Sequence, residues 1–108
     1  MSSTIVYNKL VRDRIPEIIA ADEKTCETRL LSDEEYLAML DEKLNEELKE
    51  YQESKSMEEL ADLMEVMRAL MVARGSSFEE VEEIRRKKAE KRGGFEKKLL
   101  LVSVSAED

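Results

Sequence analysis

The chain has 108 residues, enough for one compact domain (1–108) and too few for two. Charged residues make up 41% of it, aromatics 5%, and the formal net charge is −8, so its surface repels nucleic-acid backbones and anionic membranes and neither is expected as the main partner. With no histidine and a single cysteine, Cys26, it can form no internal disulfide, it suits a reducing compartment, and any metal site must rest on oxygen ligands of the kind that Mg²⁺ or Mn²⁺ takes.

In chain order, Ile5 to Val11 is apolar, partly β-branched and expected to be extended. The stretch Met1 to Arg12 lacks an apolar core long enough for a signal peptide, and no apolar run approaches a membrane span, which points to a cytoplasmic protein. Asp13 is read as the N-cap of a short helix through Ala21, with Pro16 in its first turn, where a missing N–H costs little. Cys26 to Leu31 has too little periodicity for a helix and reads as a short strand.

Ser32 and Glu35 fit a capping box, S-x-x-E, that opens a long helix ending near Glu53. Its apolar stripe is Leu37, Leu40, Leu44, Leu48 and Tyr51. A short connector, Glu53 to Ser56, leads to a second box, Ser56 with Glu59, and a helix to Arg74, stopped by Gly75 in a left-handed position. So short a connection makes the two helices antiparallel. The second helix is apolar on more than one face: Leu60, Leu63, Met64, Met67, Leu70 and Met71 form one stripe, widened by Ala61, Val66, Ala69, Val72 and Ala73. A helix of that kind is central in a bundle or lies at a subunit interface.

A third box, Ser77 with Glu80, opens a helix that is acidic at its start and basic at its end, a sign order that complements the helix dipole. Gly93-Gly94 stops it, Leu99 to Val104 reads as a strand, and Ser105 to Asp108 as a frayed tail. The expected fold class is therefore mainly α: an antiparallel helical bundle with short terminal β segments, completed by dimerisation.

Chemistry concentrates at the hairpin. Glu47 and Glu50 form an E-x-x-E pair on one arm, and Glu59 and Asp62 an E-x-x-D pair on the other; each pair shares one helix face. One such pair in so charged a chain is ordinarily a solvated face. The two together are more telling. Glu50 and Glu59 are equidistant from the turn centre between Ser54 and Lys55, and Glu47 and Asp62 are equidistant one turn further out. Antiparallel helices about 8–10 Å apart bring such side chains to a shared site. Four carboxylates across a partly dry seam repel one another unless a cation joins them, and bound Mg²⁺, one ion or two, resolves the conflict. Against this, Glu59 is also the capping partner of Ser56, Glu50 has Lys55 within reach, and Glu46, Glu58 and Glu65 read as solvent-facing or supporting residues. Lys88, Lys91 and Arg92 precede the Gly pair and suit a phosphate, although spacing alone favours dipole complementation and solubility as their role. Lys9, Arg12 and Arg14 form another basic cluster that can cover the site or serve an interface.

The stretch Lys43 to Glu50, followed by Glu58 to Asp62, resembles the E-E-x-x-E … E-x-x-D signature of MazG-like, all-α NTP pyrophosphohydrolases. Tyr7 to Pro16 and Lys88 to Phe95 resemble a small branch of that family, often labelled phosphoribosyl-ATP pyrophosphohydrolase-like. The resemblance implies Mg²⁺-dependent hydrolysis between the α- and β-phosphates of a nucleotide, giving a nucleoside monophosphate and pyrophosphate. It implies Glu47, Glu50, Glu59 and Asp62 as metal ligands and Lys88, Lys91 and Arg92 as phosphate contacts; in the mechanism expected on that basis, Glu50 or Glu47 also orients or deprotonates the attacking water. It further implies a homodimer or a dimer of dimers. The alternative is a non-catalytic, oligomeric helical interaction protein whose acidic pairs are surface charge.

Overall fold

Four helices are present in a computed structural model that describes residues 3–106: α1 (Ile15–Ala21), α2 (Asp33–Ser54), α3 (Met57–Ala73) and α4 (Phe78–Arg92). Glu107 and Asp108, the end of the expected tail, lie outside the described residues, as do Met1 and Ser2 of the N-terminal stretch. The chain is mainly α, and no described helix is long and apolar enough to cross a membrane.

Local chemistry sets the helix ends. At α2 the full capping box forms: Glu35 N–H donates to Ser32 Oγ at 3.2 Å and Ser32 N–H donates to the Glu35 carboxylate at 3.1 Å. Arg29 adds a forked pair to that carboxylate, and this bond together with the Ser32 N–H holds Glu35 down at about 2. At α3 only half the box forms. Glu59 N–H donates to Ser56 Oγ at 3.3 Å, but Ser56 N–H donates to Ser54 Oγ at 3.2 Å instead of to Glu59. Helix α1 begins later than its sequence suggests: Arg14, not Asp13, stands at the N-cap, and no side chain caps it.

Between α2 and α3 the connection is Lys55 and Ser56. Lys55 is left-handed, with φ 59° and ψ 21°, its ammonium 5.5 Å from the Tyr51 ring centre. This tight reversal makes α2 and α3 one antiparallel hairpin. Helix α4 touches α3 and no other described helix, with Arg68 5.5 Å from the Phe78 ring centre at the junction. Gly75, between them, has φ 87°, the left-handed position its sequence context suggests.

Two further expectations need correction. The segments Ile5–Val11, Cys26–Leu31 and Leu99–Val104 are not strands; the described residues contain none. A strand requires a neighbouring edge to take up its N–H and C=O groups, and these segments pair with no other. Asn8, at φ 49°, also breaks the first of them. Secondly, Leu48 is exposed and Glu47 occupies the seam in its place, so the stripe facing α3 runs Leu40, Leu44, Glu47, Tyr51.

The core is sparse. Leu40, 3% exposed, is the one buried apolar side chain among the described residues. The structure is elongated, 77 × 31 × 23 Å, with a radius of gyration of 19.8 Å, against about 13 Å for a compact chain of this length. Its accessible surface is 10355 Å²; a compact monomer of this mass exposes roughly 6,200 Å².

If the cap at Ser56 holds the hairpin, Ser56→Ala lowers stability by about 1 kcal/mol in urea unfolding. Lys55→Val places a β-branched residue in the left-handed region and costs about 1 kcal/mol or more, whereas Lys55→Gly is tolerated.

Candidate metal centre

Five acidic side chains meet where the hairpin seam opens. Carboxylate oxygens of Glu47, Glu59 and Asp62 lie within 4.8 Å of one another, and so do those of Glu46, Glu47 and Glu50. Glu47 belongs to both groups and is 7% exposed. Its place in the 40-44-47-51 stripe puts it between the helices, while Glu46 and Glu50 flank it on α2. From α3, Glu59 and Asp62 approach one turn apart. Glu59 reaches the cluster because Ser54 Oγ has taken the backbone N–H that its carboxylate otherwise accepts in a capping box.

The group is electrostatically unfavourable by itself. Glu47 Oε2 and Glu59 Oε2 are shielded from solvent and accept no hydrogen bond among the described residues. Burial raises Glu47 from its ordinary 4.5 to about 6; the close approach of Glu50 and the charge of Asp62 add to the rise, against Lys43. Glu59 is raised too, chiefly by burial and then by Glu50. Lys43 relieves part of the strain, 3.7 Å from Glu47 and 3.6 Å from Glu46.

Further cations come from the N-terminal segment. Arg12 Nη2 donates to Asp62 Oδ1 at 2.8 Å, and Lys9 Nζ to Glu46 Oε1 at 3.2 Å. Arg12, Asp13 and Arg14 line a cleft of about 500 Å³ together with Lys43, Glu47 and Asp62; Ile15 and Ile18 of α1, with Tyr36, Leu40 and Val66, add apolar lining. That volume suits a small molecule. Two buried carboxylate oxygens without donors, in an all-oxygen set shared between two groups of three, are what a hard divalent cation can coordinate. Glu46, Glu47, Glu50, Glu59 and Asp62 can supply the ligands.

Of the residues singled out from sequence, the structure brings Glu47, Glu50, Glu59 and Asp62 together. Glu50 makes no ion pair with Lys55, whose ammonium lies over Tyr51. Lys88, Lys91 and Arg92 sit at the exposed end of α4 and are not among the residues lining the cleft. Sequence reasoning did not give Glu46 a place in the cluster or Lys43 its balancing role. The signal was available for both, since Lys43, Glu46 and Glu47 are spaced to meet on one face of α2.

The chain matches no protein-family model and no solved structure. An uncharacterized protein of Mycolicibacterium smegmatis (strain ATCC 700084 / mc(2)155) is 60% identical over 42 residues, 39% of this chain. The match spans 43% of that relative's length, so less than half of it is represented here.

The raised carboxyls fix the sign of a pH effect. Folded Glu47 binds its proton more tightly than the unfolded chain does, so without metal its contribution to stability is greatest below 4.5 and is lost as pH rises through about 6. Glu59 acts in the same direction, whereas Glu35 contributes above 4.5 and loses its contribution as pH falls toward about 2. In chelator, the melting temperature is expected to fall between pH 4.5 and 7, and Glu47→Gln to remove most of that fall; thermal melts across the range measure it.

Proposed function

We propose that the chain is a divalent-cation-dependent nucleotide pyrophosphohydrolase of the MazG-like kind, in its phosphoribosyl-ATP pyrophosphohydrolase-like branch. The observation that carries the reading is Glu47: a carboxylate withdrawn from water, with one oxygen lacking a donor, amid four further acids at the edge of a cleft large enough for a nucleotide. A purely structural acid in that position weakens the hairpin, whereas one that serves a cation is stabilised when the cation is present.

In this reading Glu47, Glu50, Glu59 and Asp62 hold Mg²⁺, with Mn²⁺ as a substitute. When bound, the ion polarises phosphate oxygens and makes a nearby water more acidic. Glu50, half-buried beside Glu47, orients the attacking water and accepts its proton. The water oxygen bonds to one phosphorus as the bridging oxygen leaves with the other. A nucleoside triphosphate then gives a nucleoside monophosphate and pyrophosphate. Lys43 balances the carboxylates and keeps the α2 face in place.

Pyrophosphate release from a panel of nucleoside triphosphates, with and without Mg²⁺, tests the proposal. Release is expected only with the ion. Glu47→Gln, Glu50→Gln and Asp62→Asn are each expected to lower turnover by about 100-fold or more while circular dichroism shows intact helices. Full activity in all three variants would reject the assignment.

The proposal includes association into a homodimer or a dimer of dimers that completes an antiparallel bundle. Met64, 60% exposed, and Val72, 63% exposed, lie on the side of α3 turned from α2, and the surface in excess of a compact monomer is roughly 4,000 Å². Obligate interfaces are of that order and strongly apolar. Sedimentation equilibrium is expected to show a dimer or larger species, and Met64→Asp combined with Val72→Asp to shift it to monomer.

A further inference from the structure

We propose that Arg12 is a phosphate-binding residue of this site, held on Asp62 until a divalent cation takes its place. The inference rests on the metal-site reading above and adds the residue that receives the ligand's anion, a polyphosphate chelated to the cation.

Three observations carry it. First, Arg12 spans fifty residues of sequence to place Nη2 2.8 Å from Asp62 Oδ1, and Lys9, from the same segment, reaches Glu46 at 3.2 Å. Neither contact is local, so the segment is docked over the acidic cluster by its cations. Second, Asp62 is one of the three acids whose oxygens lie within 4.8 Å of one another around buried Glu47, so the guanidinium and a divalent ion compete for the same carboxylate. A compact divalent charge outcompetes a single delocalised one at a cluster of hard oxygens. Third, the guanidinium uses one N–H on Asp62 and makes no other side-chain hydrogen bond among the described residues. It has five N–H donors in a planar fork suited to phosphate oxygens.

The consequence is an exchange at the mouth of the cleft. With the cluster unfilled, Arg12 and Lys9 offset part of its negative charge. Once the cation sits among the carboxylates, it offsets more of that charge, takes the place of Arg12 on Asp62 and weakens the hold of Lys9 on Glu46, so that the guanidinium is freed beside it. Arg12 lines the cleft with Val11, Ile15 and Lys43, and its exposed stem leaves the head free to turn toward a phosphate. The cations at the end of α4 are not among those lining residues.

This exchange has a signature that a structural ion pair lacks: removing Arg12 moves metal binding and anion binding in opposite directions. The test uses the full chain. Mn²⁺ binding is followed by the electron paramagnetic resonance signal of the free ion, and binding of magnesium pyrophosphate by calorimetry. Arg12→Gln is expected to bind Mn²⁺ about 3-fold or more tightly, because a competitor is gone, and magnesium pyrophosphate about 10-fold or more weakly, because a charge-assisted bond is gone. Arg12→Lys keeps the charge and is expected to recover most of the pyrophosphate binding. Lys9→Gln is expected to shift both affinities the same way to a smaller extent, which gives a second variant should Arg12→Gln fold poorly. Wild-type binding of Mn²⁺ with Arg12→Gln unchanged in both affinities, or weakened in both, overturns the role of Arg12 and leaves the metal site standing. Absence of Mn²⁺ binding in the wild type overturns both.

Discussion

The burial of the Glu47 carboxylate in the seam between α2 and α3 is the constraint on which the rest of the site depends. A carboxylate at a position in the apolar stripe costs stability unless charge or donors are brought to it. Here Lys43, at 3.7 Å, is the one cation paired with it among the described residues, while Glu50 and Asp62 add like charge. The cluster therefore opposes the packing that creates it. In the proposed reading such an arrangement would serve a hard cation, because the ligands are already assembled.

A small choice in backbone hydrogen bonding determines whether Glu59 joins. In a complete capping box its carboxylate accepts the Ser56 N–H and is occupied at the helix end. Ser54 Oγ accepts that N–H instead, with Ser56 Oγ still accepting from Glu59 N–H. The helix keeps its cap and the carboxylate is free to turn into the seam. At α2 the corresponding Glu35 stays in its box, pulled there by Arg29 as well. Two helices opened by the same S-x-x-E pattern thus use the glutamate differently.

The thin core bears on how the site is held. With Leu40 alone buried among the described apolar residues, the hairpin derives much of its definition from caps, the left-handed turn at Lys55 and the side chains along one seam. The proposed association of chains would cover the apolar outer side of α3 and stiffen the helix that carries Glu59 and Asp62. The N-terminal segment acts from the other side, its cations reaching two of the acids across the cleft.

The amino-acid sequence by itself determined the helices α2, α3 and α4, their starts at Ser32, Ser56 and Ser77, and the reversal that makes the first two antiparallel. Those features follow from free-energy terms acting within one helical turn: side-chain caps, apolar periodicity and the left-handed stop at Gly75. Equal distances from the turn were enough to place Glu47 near Asp62 and Glu50 near Glu59. The tertiary structure alone decided that Glu47, not Leu48, occupies the seam, since adjacent residues differ by about 100° around the helix and only the partner helix selects between them. It also decided that Arg12 and Lys9 rest on acids far along the chain, and that the three segments expected as strands stay unpaired. Burial, long-range ion pairs and strand pairing all depend on groups distant in sequence, and no local pattern states which of those groups will be near.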